Sequence, residues 1–156
     1  MLKKQFLLKF INFWPPFWGA GIRVKHMSAD FLTVTVELKM HFWNKNYIGV
    51  HFGGSLYAMC DAFFMLILME KLGREYIVLD KSASIHFKKP GKGRVSATFH
   101  IPLEQITQIK QDADNQYKVE PQFTVDVLDT EGTLIARVDK TLYVRHKDRK
   151  KALSLR

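Results

Sequence analysis

The sequence predicts an α+β domain in which a curved antiparallel sheet wraps around one long buried helix, with an extra helix at the N-terminus. Three observations predict it. Residues Phe31 to Met40 alternate apolar and polar without interruption, Ser55 to Gly73 is apolar nearly all round, and four more strand-like segments follow in succession. Strict alternation marks a strand with one face buried, and strands segregated from a helix pack as a sheet with the helix on one side. At 156 residues, 47% of them hydrophobic, the chain suffices for one compact core and therefore one domain.

In chain order, Leu2, Phe6, Phe10 and Phe13 recur at helical spacing with Lys3, Lys4, Gln5 and Asn12 mainly opposite, which predicts an amphipathic helix stopped by Pro15 and Pro16. Its apolar face suits packing on the domain or a neighbouring subunit; its aromatics and lysines also suit contact with a membrane surface. Gly21 to Ser28 is the hairpin partner of the alternating strand, with Ala29-Asp30 as the turn. A polar, glycine-containing loop spans His41 to Gly54. Ser55 to Gly73 then reads as one helix of long-chain formers ending on a glycine suited to a left-handed cap. Its uninterrupted apolar part, Ala62 to Met69, is far shorter than the ~18 residues of a membrane span. Four strands follow at Tyr76 to Phe87, Arg94 to Ile101, Tyr117 to Leu128 and Leu134 to Arg145. Pro121 signals a bulge or an edge, Asp129 to Gly132 a turn, and Leu103 to Asn115 a short helix or an irregular excursion. The expected organisation is residues 1–18 as helix and Trp/Pro segment, 19–146 as the domain, and 147–156 as a basic, solvated tail.

Lysine and arginine total 24 against 15 acidic residues, a net charge of +9. Such a surplus attracts polyanions of any kind, so its distribution matters more than its total. It concentrates in the first turns, in Lys88 to Arg94 and in the tail. Lys9 interrupts the early apolar run and no small-residue cleavage site follows it, so a cytoplasmic protein is expected. The single cysteine, Cys60, sits among apolar residues beside Asp61, an environment of a buried small hydrophobe rather than a nucleophile.

The segment NYIGVHFGGSLYAMCD, Asn46 to Asp61, is the sharpest local feature. A polar loop delivers Gly53 and Gly54 to a helix start, where unpaired N–H groups and the helix dipole favour developing negative charge. Seven residues on, Asp61 is an isolated acid in an apolar helix, sharing a face with Gly54 and Ala58. A carboxylate in that setting is either satisfied by a hydrogen-bond partner or carries chemistry, and the second reading is preferred. On VLDKSASIHF, period two places Val78, Asp80, Ser82, Ser84 and His86 on one polar face, which is either a site or a solvent side. His51 is a loop histidine of the kind that is often only exposed. KKPGKGR carries Lys88, Lys89, Lys92 and Arg94 around a Pro-Gly turn, read either as a solvated hairpin tip or as a phosphate clamp. No metal-ligand spacing and no nucleotide-loop pattern is visible.

These two motifs, N-x-x-G-x-x-F-G-G-S-L-Y-A-M-x-D over Asn46 to Asp61 and D-K-S-A-S-I-x-F-x-K-P-G over Asp80 to Gly91, resemble the hotdog-fold thioesterases, especially the group labelled tetrameric acyl-CoA thioesterase. The resemblance spans nearly the whole chain and implies hydrolysis of an acyl-CoA. It implies that Asp61 acts as general base or nucleophile, that Gly53 and Gly54 polarise the thioester carbonyl, and that Asn46 orients water or substrate. Ser82, or Asp80, stands where such enzymes use a strand hydroxyl across a subunit interface. His51, Phe52, Lys88, Lys89, Lys92 and Arg94 are expected to contact substrate. Phe52 stands where many relatives carry a histidine directly before the two glycines, and Asp80 where a serine is common. No cofactor beyond the CoA of the substrate is implied, no nucleic-acid partner is expected, and a dimer or tetramer is. The competing expectations are a non-catalytic acyl-CoA or acyl-carrier binding protein and a membrane-surface protein led by the N-terminal helix; a hotdog dehydratase, needing a histidine and acid pair placed differently, is a third.

Overall fold

The computed structural model describes residues 10–148. Phe10 and Ile11 are helical, while residues 1–9, on which the expected amphipathic helix mainly falls, lie outside the described residues, as does the tail beyond 148. The prolines begin an element as well as ending one. Pro15–Ala20 forms a short helix, α1, because proline's fixed φ suits the first turn, and Gly21 closes it in the left-handed conformation at φ +79°.

The strands are β1 (Ile22–Met27), β2 (Thr33–Lys39), β3 (Tyr76–Phe87), β4 (Arg94–His100), β5 (Gln122–Asp129) and β6 (Leu134–His146). They form one antiparallel sheet in the order β1-β2-β4-β5-β6-β3. The alternation read in β2 is realised: Val34, Val36 and Leu38 are wholly buried. Asp129 makes the β5–β6 turn by accepting the Glu131 and Thr133 backbone N–H groups, with Gly132 at positive φ. Leu103–Asn115 is a full helix, α4. Tyr117 to Pro121 is not regular strand; Val119 makes one isolated bridge to Val144, the prolyl nitrogen has no hydrogen to donate, and the continuous ladder begins at Gln122.

Two readings are corrected. The run from Ser55 to Gly73 is two helices, α2 (Gly53–Asp61) and α3 (Phe63–Leu72), interrupted at Ala62. Ala62 keeps right-handed dihedrals, so the interruption is a local loss of the hydrogen-bond ladder. It coincides with the capture of the Asp61 carbonyl by the ammonium of Lys140. Gly73 has positive φ but ψ near 180°, so it ends α3 extended rather than as a left-handed cap. Secondly, Lys88 to Arg94 is no hairpin tip: β3 pairs only with β6, and β4 with β2 and β5, so this segment crosses from one part of the sheet to another.

The inner face of the sheet closes over α2 and α3. Phe63 and Phe64 of α3 meet Phe99 of β4 at centroid distances of 5.0 and 5.1 Å, Phe64 stacks on Phe123 of β5 at 4.8 Å, and Phe17 of α1 extends the cluster. No helix among the described residues is long and apolar enough to cross a membrane.

Candidate functional site

The end of α2 carries Asp61, and its surroundings differ from those of an isolated acid. On β6 the inward positions are Ala136, Val138, Lys140, Leu142 and Val144, all buried. Lysine 140 thus occupies an apolar position with no part of its side chain exposed. Burying a cation is costly unless it is paired and hydrogen-bonded. Its Nζ lies 3.0 Å from Asp61 Oδ1 and 2.8 Å from Asp80 Oδ1, and it also donates to the Asp61 carbonyl. Two of the ammonium hydrogens are thus given to Asp61, and the Asp80 carboxylate adds an ion pair. Tyr57, one turn before Asp61 on α2, donates its hydroxyl to Asp61 Oδ1 at 3.0 Å. Burial, then this hydrogen bond, pushes the Tyr57 pKa up to about 12, so it remains a donor at neutral pH. Asp61 Oδ1 is thereby fixed twice, whereas Oδ2 has no hydrogen bond among the described residues, and the side chain is 49% exposed.

Lys140 and Tyr57 were missed in the sequence, although each left a signal. Period two on the final strand places Lys140 between Val138 and Leu142, a charge in an apolar row, and Tyr57 lies four residues before Asp61.

The polar face read on the third strand does not hold together. Asp80 pairs with Leu142 but Ser82 with Thr141, so two steps on β3 match one on β6. This bulge reverses the alternation: Asp80 shares the inner face with Val78, Ala83 and Ile85, while Ser82, Ser84 and His86 face outward. Ser82 lines a polar groove with Thr124, Asp139 and Thr141 on the other side of the sheet from Asp61.

At the opposite end of α2 the chain forms a second cluster. Asn46 closes its own loop, its Oδ1 accepting the N–H groups of Ile48 and Val50 at 3.1 and 3.0 Å, so only its amide NH₂ remains to meet a ligand. His51 pairs with the crossover by donating its backbone N–H to the Gly91 carbonyl at 2.9 Å. Contrary to the exposed loop histidine expected, the residue is 3% exposed and neither ring nitrogen has a hydrogen-bond partner among the described residues. Burial lowers its pKa, opposed in part by the Gly93 backbone. Gly91 permits this packing, since a Cβ there would lie 2.8 Å from Ile135 Cγ2 and 3.2 Å from the imidazole.

Gly53 and Gly54 open α2 with their N–H groups unused by the backbone. The Phe87 ring lies over Gly53 and the Phe52 ring over Gly54, at 2.9 and 2.4 Å from where a Cβ would stand. A cavity of about 360 Å³ is lined here by Asn46, His51, Gly53, Phe87, Lys88 and Lys89. Neither Asp61 nor Asp80 lines it, and neither do Lys92 and Arg94. Arg94 turns instead toward Glu37 of β2 at 4.0 Å. Cys60 is fully buried and its thiol is pushed up to about 12 by desolvation, as befits a packing residue.

The structure thus brings Asp61 and Asp80 together around Lys140, gathers Asn46, His51, Gly53, Lys88 and Lys89 at a cavity, and separates the two groups along α2. Comparison with known proteins agrees with this architecture. A family model described as a domain of unknown function (DUF4442) matches residues 3–144. No curated protein matches the chain. Among solved structures, a Pseudomonas aeruginosa protein described as of unknown function and a probable thioesterase superposes with a TM-score of 0.82 at 18% identity, over 93% of this chain and 97% of that one. A Haemophilus influenzae thioesterase gives 0.69 at 16% identity, over 94% and 92%. A mutant of a Staphylococcus aureus thioesterase gives 0.61 at 15% identity, over 85% and 99%. These likenesses show that the fold is the hotdog.

Proposed function

The chain belongs to the family of unknown function DUF4442, and from that premise we propose that it hydrolyses an acyl-CoA thioester at a site shared between two copies of the chain. The observation that carries this is the Asp61 carboxylate, which has one oxygen fixed by Tyr57 and Lys140 and the other free and half-exposed. A carboxylate oriented in this way can take a proton from water, or attack an acyl carbon, through Oδ2. The description of several structural neighbours as thioesterases supports the same chemistry.

The glycine end supplies the electrophile's environment. Unpaired N–H groups at the start of a helix stabilise the oxyanion that forms when a thioester carbonyl is attacked. Lys88 and Lys89, beside that cavity, suit the phosphates of CoA; Lys92 and Arg94 lie further round the same crossover and add to its positive field. From Gly54 to Asp61, however, seven residues of helix rise about 10 Å. A carbonyl held about 3 Å from the glycine N–H groups is beyond direct attack by the same chain's Asp61. A second copy, paired through the free 12-residue edge of β3, can bring its own Asp61 to these glycines. Asp80 acts in this scheme with Lys140, holding the ammonium that positions Asp61.

The second reading is a non-catalytic acyl-CoA or acyl-carrier binding protein, favoured by one observation: Asp61 already has a structural task as a counter-ion of Lys140. Thiol release from short, long and aromatic acyl-CoAs separates the two. The parent should turn over at least one of them, and Asp61→Asn should lower kcat by at least about 10² with binding retained. Binding without thiol release across the panel establishes the second reading instead.

A further inference from the structure

The chain has three tryptophans, and Trp14, Trp18 and Trp43 are 50%, 74% and 56% exposed. Phe13 and Phe42 stand exposed beside them. Phe13, Trp18 and Trp43 line a groove of about 660 Å³ on β1, the edge of the sheet opposite β3, together with Arg23, Lys25 and Lys39.

This face is held in place. Asn12 pairs with β1 as a strand residue would, its Oδ1 accepting the Val24 N–H at 2.7 Å and its Nδ2 donating to the Val24 carbonyl at 3.2 Å. Asn44 donates to the carbonyls of Ala20 and Lys39, and Trp43 donates its indole N–H to the Gly19 carbonyl. His41 stacks flat on Trp43 at 4.3 Å, and Phe42 meets it edge-on. Ordering the aromatics in this way, with their rings outward, is costly in water unless a partner covers them.

Charge selects the partner. Among the described residues Arg23 and Lys39 have no carboxylate within salt-bridge distance, and the one acid opposite them, Glu37, is engaged by Lys25 and Arg94. A second copy docked by a two-fold axis here would set these cations against themselves. Tryptophan beside lysine and arginine is the composition that settles at the boundary between lipid headgroups and acyl chains.

We propose that this aromatic and basic face docks on an anionic phospholipid surface, with the indoles at headgroup depth and Arg23 and Lys39 on lipid phosphates. The proposal does not depend on thioester hydrolysis. It also leaves β3, the opposite edge of the sheet, free for pairing.

Because Trp18 and Trp43 line this groove and Trp14 follows Phe13 in the chain, the intrinsic fluorescence of the full chain reports on this part of the molecule. Titration with vesicles of phosphatidylcholine containing about 30% phosphatidylglycerol should shift the emission to the blue and sediment the protein, and salt should reverse both. Vesicles of pure phosphatidylcholine should bind at least tenfold less. Removing Arg23 and Lys39 as Gln should weaken binding about fivefold for each, and Phe13→Ser with Trp18→Ser should abolish the shift while thermal melting and circular dichroism stay those of the parent. Absence of binding to anionic vesicles overturns the proposal. So does binding unaltered in both double variants, and so does a blue shift that follows protein concentration without vesicles, which would identify a second copy as the partner.

Discussion

Lys140 decides how Asp61 is to be understood. An acid in an apolar helix reads as an isolated functional group when only its own helix is considered. The inward face of β6 supplies the missing half, a cation that requires carboxylates around it. The sequence contained that cation in a strand whose extent was read almost to the residue, but its phase was not followed to the lysine. The shared counter-ion has a thermodynamic consequence. Asp61→Asn or Asp80→Asn each leaves Lys140 one carboxylate, whereas the double variant leaves a buried charge with none, a loss of about 3–5 kcal/mol in comparable cases. Urea denaturation of the four members of this cycle should show the double variant losing clearly more than the sum of the single ones. His51 gives a second test at this scale. Its folded pKa is lowered from 6.5 by burial, so the unfolded chain takes up a proton first as pH falls. Its contribution to stability is complete above the unfolded value and is lost as pH drops below it. Melting temperature from pH 7.5 to pH 5 should therefore fall more steeply for the parent than for His51→Gln, the other histidines being common to both.

At the scale of elements, strands were legible because burial of one face imposes period two, and five of the six have their expected partners or positions within a few residues. What escaped were the places where one residue alters the phase. The extra residue in β3 between Asp80 and Ser82 moves those side chains to opposite faces, and no composition signal marks it: SAS and DKS are equally compatible with regular strand. The interruption of the long helix at Ala62 has the same character, since its sequence lacks glycine and proline and the lysine that takes the neighbouring Asp61 carbonyl is 79 residues from Asp61. The turn between α1 and β1, in contrast, depends on a residue whose type declares it. Gly21 has φ +79°, and a Cβ there would lie 2.5 Å from Asn44 Nδ2 and 2.7 Å from the Lys39 carbonyl oxygen. Gly21→Ala should cost about 1–3 kcal/mol from backbone strain and more from the displaced Asn44, measured by chemical denaturation, with Gly19→Ala, which meets nothing within 4 Å, as the near-neutral control.

For the whole molecule, the proposed function assigns complementary parts of one reaction to the two ends of α2, which one protomer does not bring together. The glycines, the cavity and Lys88 and Lys89 are at its start; Asp61, Tyr57 and Lys140 are at its end. Sequence reading placed both parts on one helix face and on one site, because spacing along a helix conveys direction better than distance. Light scattering at micromolar concentration should find a dimer or a larger even assembly, and a strictly monomeric particle would contradict a shared site. The most direct measurement is complementation. Gly53→Pro removes one helix-start N–H and suits the backbone of the first helical position, since Phe52 before it already has φ −64° and ψ 127°, with the exposed Phe87 ring, 2.9 Å from the new Cβ, turning aside; Asp61→Asn removes the proposed base. Each variant alone should hydrolyse acyl-CoA at least about 10² more slowly than the parent. Unfolded and refolded together, they should regain about a quarter of parental turnover, because half of the dimers are mixed and each mixed dimer has one intact site of two. Mixed dimers that form and recover nothing would show that Asp61 and the glycines do not meet across the interface.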